Sequence, residues 1–299
     1  MLFFQKQIMM RRVLIALIPV FAFAVYLYGL RLVILTAVVV PAAVITEYLF
    51  VRIRTPRGKK ALVSEAAFVT AFLFLLSLDP GIPFWVALIG IVFAIAIGKM
   101  AYGGFGRNVF NPALSGRLFV YIAFPNLTAA FLSAGKFGVD AVSAATPLGL
   151  FRAGKNVDLI SLVTGIHPGS FGESSIILIF AAAVFLVITK TASYRIMVST
   201  LAGALALTVA LWAAGVSQAF PPLEAMLSGS IFFAAVFYAT DPVSAPKGRL
   251  SQWIYGVVIG AAAVLIRQFS LFAEGTSFAV LLGNMFAPLF DHLFRKKPA

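Results

Sequence analysis

The chain has 299 residues, 62% of them hydrophobic and 11% charged, and its mean hydropathy is +1.02. That balance excludes a soluble globular domain and marks a polytopic integral membrane protein. The absence of cysteine, with only two histidines, excludes disulfides, thiolate-held iron–sulfur clusters and a bis-imidazole haem, while the net charge of +13 reads as orienting loop charge rather than a nucleic-acid surface.

Ten apolar stretches predict transmembrane helices, at about 13–29, 31–50, 62–78, 84–98, 115–132, 174–189, 196–214, 225–239, 253–267 and 277–292. The first follows Arg11 and Arg12 and leads straight into the second with no small-residue cleavage site, so a cleaved signal peptide is not expected. Between the second and third lies "RIRTPRGKK" (52–60), with five basic residues in nine. Placing that loop in the cytoplasm puts 18 of the 23 Lys and Arg residues on one side. Arg31, Lys136, Arg152, Lys155 and Arg267 remain outside, a positive-inside asymmetry that predicts two cytoplasmic termini and an outer 133–173 connection.

An internal echo accompanies this pattern. "SLDPGIPFW" (77–85) leads into one glycine-containing apolar run, and "ATDPVSAPKGRLSQW" (239–253) into another. "NVFNPALSG" (108–116) is matched weakly by "NMFAPLFDH" (284–292). With Asp79 outside and Asp241 inside, five spans per half predict an inverted repeat. The fold class is therefore all-α integral membrane protein, about ten spans in an inverted five-helix repeat. The expected division is 1–135 for the first half, 136–173 for an outer loop and 174–299 for the second half.

Three stretches depart from span chemistry. In "GKMAYGGFGRNVFNPALSGRLF" (98–119), four glycines in nine residues and then Asn-Pro imply non-helical backbone, tolerated at membrane depth only where it lines a cavity or is buried. Its free N–H groups, with Arg107, Asn108 and Asn111, suit a polar or anionic ligand group, and a plain flexible loop is the bland alternative. The run follows no strand, so it is not a dinucleotide fingerprint. In "ATDPVSAPKGRLSQWIYG" (239–256) two prolines break the helix and Trp253 can anchor at the interface. In "VDAVSAATPLGLF" (139–151) small and hydroxylated residues precede Thr146, and Pro147 biases Thr146 away from the helical region. Acids near span ends are candidate cation sites, Glu65 and Asp291 among them, although Glu47 and Glu65 flank the basic loop and could simply offset its charge.

Residues 64–125, "DAVSAATPL" (140–148), "FGESS" (171–175) and 238–293 together resemble the NqrB/RnfD family, which joins one membrane subunit of the Na⁺-translocating NADH:quinone reductase with one of the Rnf electron-transport complex. The resemblance covers most of the chain in order. It implies a ten-span subunit carrying FMN through a phosphoester to a threonine in a pattern like Asp-x-x-Ser/Thr-Gly-Ala-Thr. Here that pattern reads Asp140, Ala141, Val142, Ser143, Ala144, Ala145, Thr146, with Thr146 as the attachment residue and Ala144 standing where the family has Gly. It also implies a second, non-covalent flavin, often riboflavin, for which the segment around Arg107, Asn108 and Asn111 is the suggested surrounding.

The implied function is an electron-transfer subunit of an ion-translocating oxidoreductase, a translocase inactive alone, moving Na⁺ or H⁺ past Glu65 and Asp291. Implied partners are the other membrane subunits, an outward-facing FMN subunit, a flavin transferase and the lipid bilayer, in the cell's inner (cytoplasmic) membrane. The short N-terminal part points to the Rnf type. "GRNVFNPALSGRLF" and "NMFAPLFDHL" point to the NqrB type of the quinone reductase. A flavin-free small-solute transporter or channel is the alternative of another class, and a lone flavin subunit serving an extracytoplasmic reductase is a third.

Overall fold

The computed structural model of the chain describes residues 4–128, 145–155, 157–173, 175–216, 219–270 and 275–294. These residues are mostly helical, and they form two compact units. One is Met1–Ala144 with Pro168–Ser174, and the other is Ala145–His167 with Ser175–Ala299. The connecting stretch is thus shared between them.

The first unit begins with a two-residue strand, β1 (Phe4–Gln5), then α1 (Ile8–Tyr28) and α2 (Leu30–Arg54). Gly29 separates the two helices at φ +63°, a conformation that a side chain resists. A second short strand, β2 (Val63–Ser64), pairs in parallel with β1 and leads into α3 (Ala66–Ser77). α4 (Phe84–Ile95) continues as a π-helical turn (Ala96–Met100), and α5 (Pro112–Ala123) and α6 (Pro125–Thr128) follow. α2 packs on α3 and α4, and α5 packs on α3 and α4. Residues 168–173 close the C-terminal end of α3: Phe171 N–H donates to Leu78 O at 3.1 Å and Gly172 N–H to Leu76 O at 2.6 Å. Phe171 is wholly buried edge-on against Tyr28, so this return supplies both hydrogen bonds and core.

The second unit contains α7 (Pro147–Arg152), α8 (Leu159–Thr164), α9 (Ile176–Ile188) and α10 (Tyr194–Ala213). α11 (Pro222–Leu227) and α12 (Ile231–Phe233) follow, and α12 runs into a second π-helical turn (Ala234–Tyr238). α13 (Arg249–Phe269) and α14 (Gly275–Leu293) complete it. α13 lies between α10 and α14. Its contact with α10 is close because the crossing is built from small residues. A Cβ on Gly203 would sit 2.7 Å from Val257 O, and one on Gly260 would meet Thr200 O. Small residues at such crossings let backbones approach where lipid offers no hydrophobic drive.

α1, α2, α10 and α13 are long and apolar enough to cross a membrane, and Ala66–Ser77, Phe84–Met100 and Ile176–Ile188 are shorter apolar helices. Polarity is distributed inside out. On α10, Ser199, Thr200 and Thr208 are buried while Val198, Leu205, Val209 and Trp212 face outward. α9 likewise exposes Ile177, Phe180, Val184 and Ile188. An apolar outer face over a polar inner face is stable only with lipid outside, so this is a membrane protein.

Helices cover each predicted apolar stretch, with three informative differences. The 62–78 stretch opens as β2 because its first residues pair with the N-terminal strand. In the 115–132 stretch, α5 stops at Ala123, because Pro125 forces Phe124 out of helical geometry (φ −132°, ψ 54°). The 225–239 stretch is interrupted at Ser228–Ser230, where Gly229 has φ +68°.

Candidate functional site

Thr146 stands immediately before α7 in extended backbone (φ −66°, ψ 159°), as a residue preceding proline should. Its Oγ1 accepts a hydrogen bond from Gly149 N–H at 3.2 Å, and the side chain is half-buried. Threonine is thus the helix cap, and Pro147 occupies the first helical position, where its missing N–H costs nothing. The predicted motif partners Ser143 and Asp140 lie outside the described residues.

Beyond the far end of α7 opens a cavity of about 770 Å³, within the range of small-molecule sites. Phe151, Phe220 and Phe269 supply aromatic wall, with Phe151 and Phe220 ring centroids 5.7 Å apart. Arg152 and Lys155 bring two positive charges and Glu224 one negative. Arg152 also ties α7 to the end of α13, donating to Arg267 O at 2.6 Å and Ser270 O at 3.3 Å. Gln268 lines the same cavity, and its Oε1 is buried with no hydrogen-bond partner. Nothing in the local sequence flagged this cavity, because its walls come from α7, α11 and α13.

Around the glycine-rich turn, Gly103, Gly104 and Gly106 all have positive φ, so the backbone here is indeed non-helical and requires glycine. Arg107 is exposed, Asn108 Nδ2 donates to Phe110 O at 3.0 Å, and Asn111 Oδ1 caps α5 by accepting from Ala113 and Leu114 N–H at 3.0 and 3.4 Å. These bonds commit the Asn111 carbonyl to the start of α5 and the Asn108 amide to its own loop.

Glu65 precedes α3 and is clasped by Arg11, whose Nε lies 2.9 and 3.0 Å from the two carboxylate oxygens, while Gln7 N–H donates at 2.7 Å. The hydrogen bond from Arg11 is the main reason that the Glu65 carboxyl is held below the usual carboxylate range. Asp291, near the end of α14, accepts from Lys247 N–H at 2.7 Å and Gly248 N–H at 2.8 Å. It anchors the turn that starts α13. The two predicted ion-path carboxylates are therefore both joined to chain segments distant in sequence.

One charge cluster was not apparent from the sequence. Lys99, in the π-helical turn, donates to Glu47 Oε2 at 2.6 Å and Ser64 Oγ at 2.7 Å. Ser64 in turn donates to Glu47 Oε1 through N–H at 2.9 Å and Oγ at 2.6 Å. Glu47 and Lys99 are both 2% exposed. The only signal was one acid in "VVVPAAVITEYLF" and one base in "AIAIGKMAYGG", each an isolated charge in an apolar run.

A family model described as the NQR2, RnfD, RnfE family matches residues 4–299. The chain belongs to that family. Among curated proteins it is similar to the NqrB subunit of the Na(+)-translocating NADH-quinone reductase of Klebsiella pneumoniae, at 36% identity over 251 residues, 79% of this chain and 60% of the relative. The same subunits from Ectopseudomonas mendocina and Pseudomonas aeruginosa (strain PAO1) are 39% and 37% identical, over 82% of this chain and 62% of theirs. The chain spans about three-fifths of the length of these relatives. Membrane location, electron transport and ion transport fit the family.

Proposed function

We propose that this chain is the membrane subunit of an ion-translocating oxidoreductase of the NADH–quinone reductase type, carrying electrons through FMN esterified to Thr146. The relatives named above, all NqrB subunits of the Na⁺-translocating quinone reductase, favour that type over Rnf. Chain length carries no weight in the choice, because it rests only on where the sequence starts.

The observation that carries the reading is Thr146 itself, a half-buried hydroxyl in extended backbone at a family-type motif. The residues fit the group. Esterification replaces the hydroxyl proton and leaves Oγ1 as an acceptor, so the Gly149 N–H bond survives modification. Arg152 and Lys155 place positive charge at the other end of α7, where a flavin phosphate or its reduced ring is stabilised. When bound, FMN supplies one- and two-electron chemistry that no side chain of a cysteine-free chain provides. The protein's part is to fix the attachment oxygen and surround the carrier with aromatic wall.

In this reading the chain makes ten crossings as an inverted repeat with both termini in the cytoplasm of a cell whose inner membrane it spans. In support, each unit repeats one order of neighbours: α2 against α4 and α4 against α5 in the first, α10 against α13 and α13 against α14 in the second. Glu65 and Asp291 belong to the ion path, and the glycine-rich turn near Arg107 borders a second flavin. Partner subunits and a flavin transferase are required by the same reading.

The test is a denaturing gel of the chain co-expressed with a flavin transferase, viewed under ultraviolet light. A fluorescent band that disappears in Thr146→Ala is the expected result. A dark wild-type band rejects covalent flavin, and a band that persists in the variant moves the attachment elsewhere.

A further inference from the structure

The cavity between α7, α11 and the end of α13 has an unmet hydrogen-bond requirement. Gln268 is 9% exposed, and its Oε1 is buried without a partner although the side chain lines an open space. An unsatisfied buried acceptor costs about 1–3 kcal/mol, and native structures leave few of them. Three phenylalanines flank this amide, a wall suited to a flat ring rather than to a solvated ion. The charges along the wall, Arg152 and Lys155 against Glu224, sum to one positive. The cavity therefore asks for a planar heteroaromatic group with an edge N–H donor, acceptor oxygens beside it, and charge that becomes negative.

We propose that this cavity seats the isoalloxazine ring of the flavin held at Thr146, with the Gln268 amide reading its imide edge and Lys155 and Arg152 favouring its reduced, anionic form. The inference rests on the covalent attachment proposed above. The spacing supports it. From Thr146 to Arg152 the chain climbs six residues of helix, about 9 Å at 1.5 Å per residue, a length that a phosphate with its ribityl chain spans. The imide N–H matches a glutamine carbonyl, and the flanking ring carbonyl matches the same amide's N–H₂, so one side chain satisfies donor and acceptor together. Rotating the terminal torsion of Gln268 through half a turn exchanges the two amide atoms, so either can face the ring. Gln268 and Lys155 are thus positioning and tuning residues for the carrier, separate from its attachment.

The experiment uses the flavinylated full chain within its native membrane complex. Visible spectra are recorded during a stepwise reductive titration for wild type, Gln268→Leu, Gln268→Glu and Lys155→Met. Gln268→Leu and Lys155→Met should each lower the equilibrium constant for two-electron reduction of the covalent flavin about tenfold, about 30 mV at two electrons. Gln268→Glu, adding a negative charge at the imide edge, should lower it further. All three should keep full in-gel flavin fluorescence, because attachment depends on Thr146. If Gln268→Leu fails to accumulate, the Lys155→Met and Gln268→Glu titrations decide alone. Flavin that is present but unshifted in these variants overturns the ring site and leaves the attachment standing. A wild-type chain with no covalent flavin overturns both.

Discussion

Lys99 Nζ lies 2.6 Å from Glu47 Oε2, and both side chains are almost completely buried. Ser64 Oγ bridges the pair, so three segments (α2, β2 and the π-helical turn after α4) meet at one neutralised charge. Removing one partner strands the other in low dielectric, which costs about 3–5 kcal/mol. Lys99→Met should therefore lower thermal stability in detergent sharply. The double replacement Lys99→Met with Glu47→Gln should recover much of the loss. A double-mutant cycle by thermal unfolding checks this, and additive losses would show that the pair is not coupled.

Thr146 combines a helix cap with the attachment hydroxyl. Thr146→Ser keeps both features and should retain gel fluorescence, with stability within about 0.5 kcal/mol of wild type. Thr146→Ala loses the fluorescence and, through the lost cap, about 1 kcal/mol of local stability. Fluorescence per mole of chain and protease sensitivity near α7 report the two effects separately.

Glu65 has a carboxyl pKa depressed by Arg11. Its folded value lies below its unfolded value, so its stabilising contribution is present above the unfolded pKa. It is lost as pH falls through the folded value. Melting temperature should thus drop on acidification below the ordinary carboxylate range, and Glu65→Gln should flatten that part of the profile. A variant profile parallel to wild type would show that Glu65 contributes nothing to the pH dependence. If Glu65 also lies on the ion path, Glu65→Gln lowers ion transport by the assembled complex at a pH where both proteins are fully folded.

Gly260 sits where α13 crosses α10, and any Cβ there meets Thr200 O and the Ala204 N–H region. Gly260→Leu should cost at least about 1–3 kcal/mol by forcing the helices apart. Gly58, in the basic loop, has no atom within 4 Å of an added Cβ. Gly58→Ala there should disturb only the local turn, whose φ is +90°. Detergent thermal melts of the two variants separate interface packing from turn strain.

The class of the protein is written in its sequence. Apolar runs, isolated charges and the lack of cysteine require a bilayer, because no water-facing fold exposes Ile177, Phe180 and Ile188 along one helix. Glycine and proline chemistry also made the turn near Gly103 and the extended backbone at Thr146 legible, since both follow from local sterics. What each isolated charge does was settled only by packing. Glu65 and Glu47 look alike as acids beside a basic loop, yet one faces half-exposed Arg11 and the other fully buried Lys99. The Gln268 cavity was equally invisible, because its walls lie more than a hundred residues apart in the chain and only packing brings them together. Periodicity encodes which face of a helix is buried. Which charge meets which partner, and where a space is left, depends on three-dimensional contacts that a linear pattern does not contain.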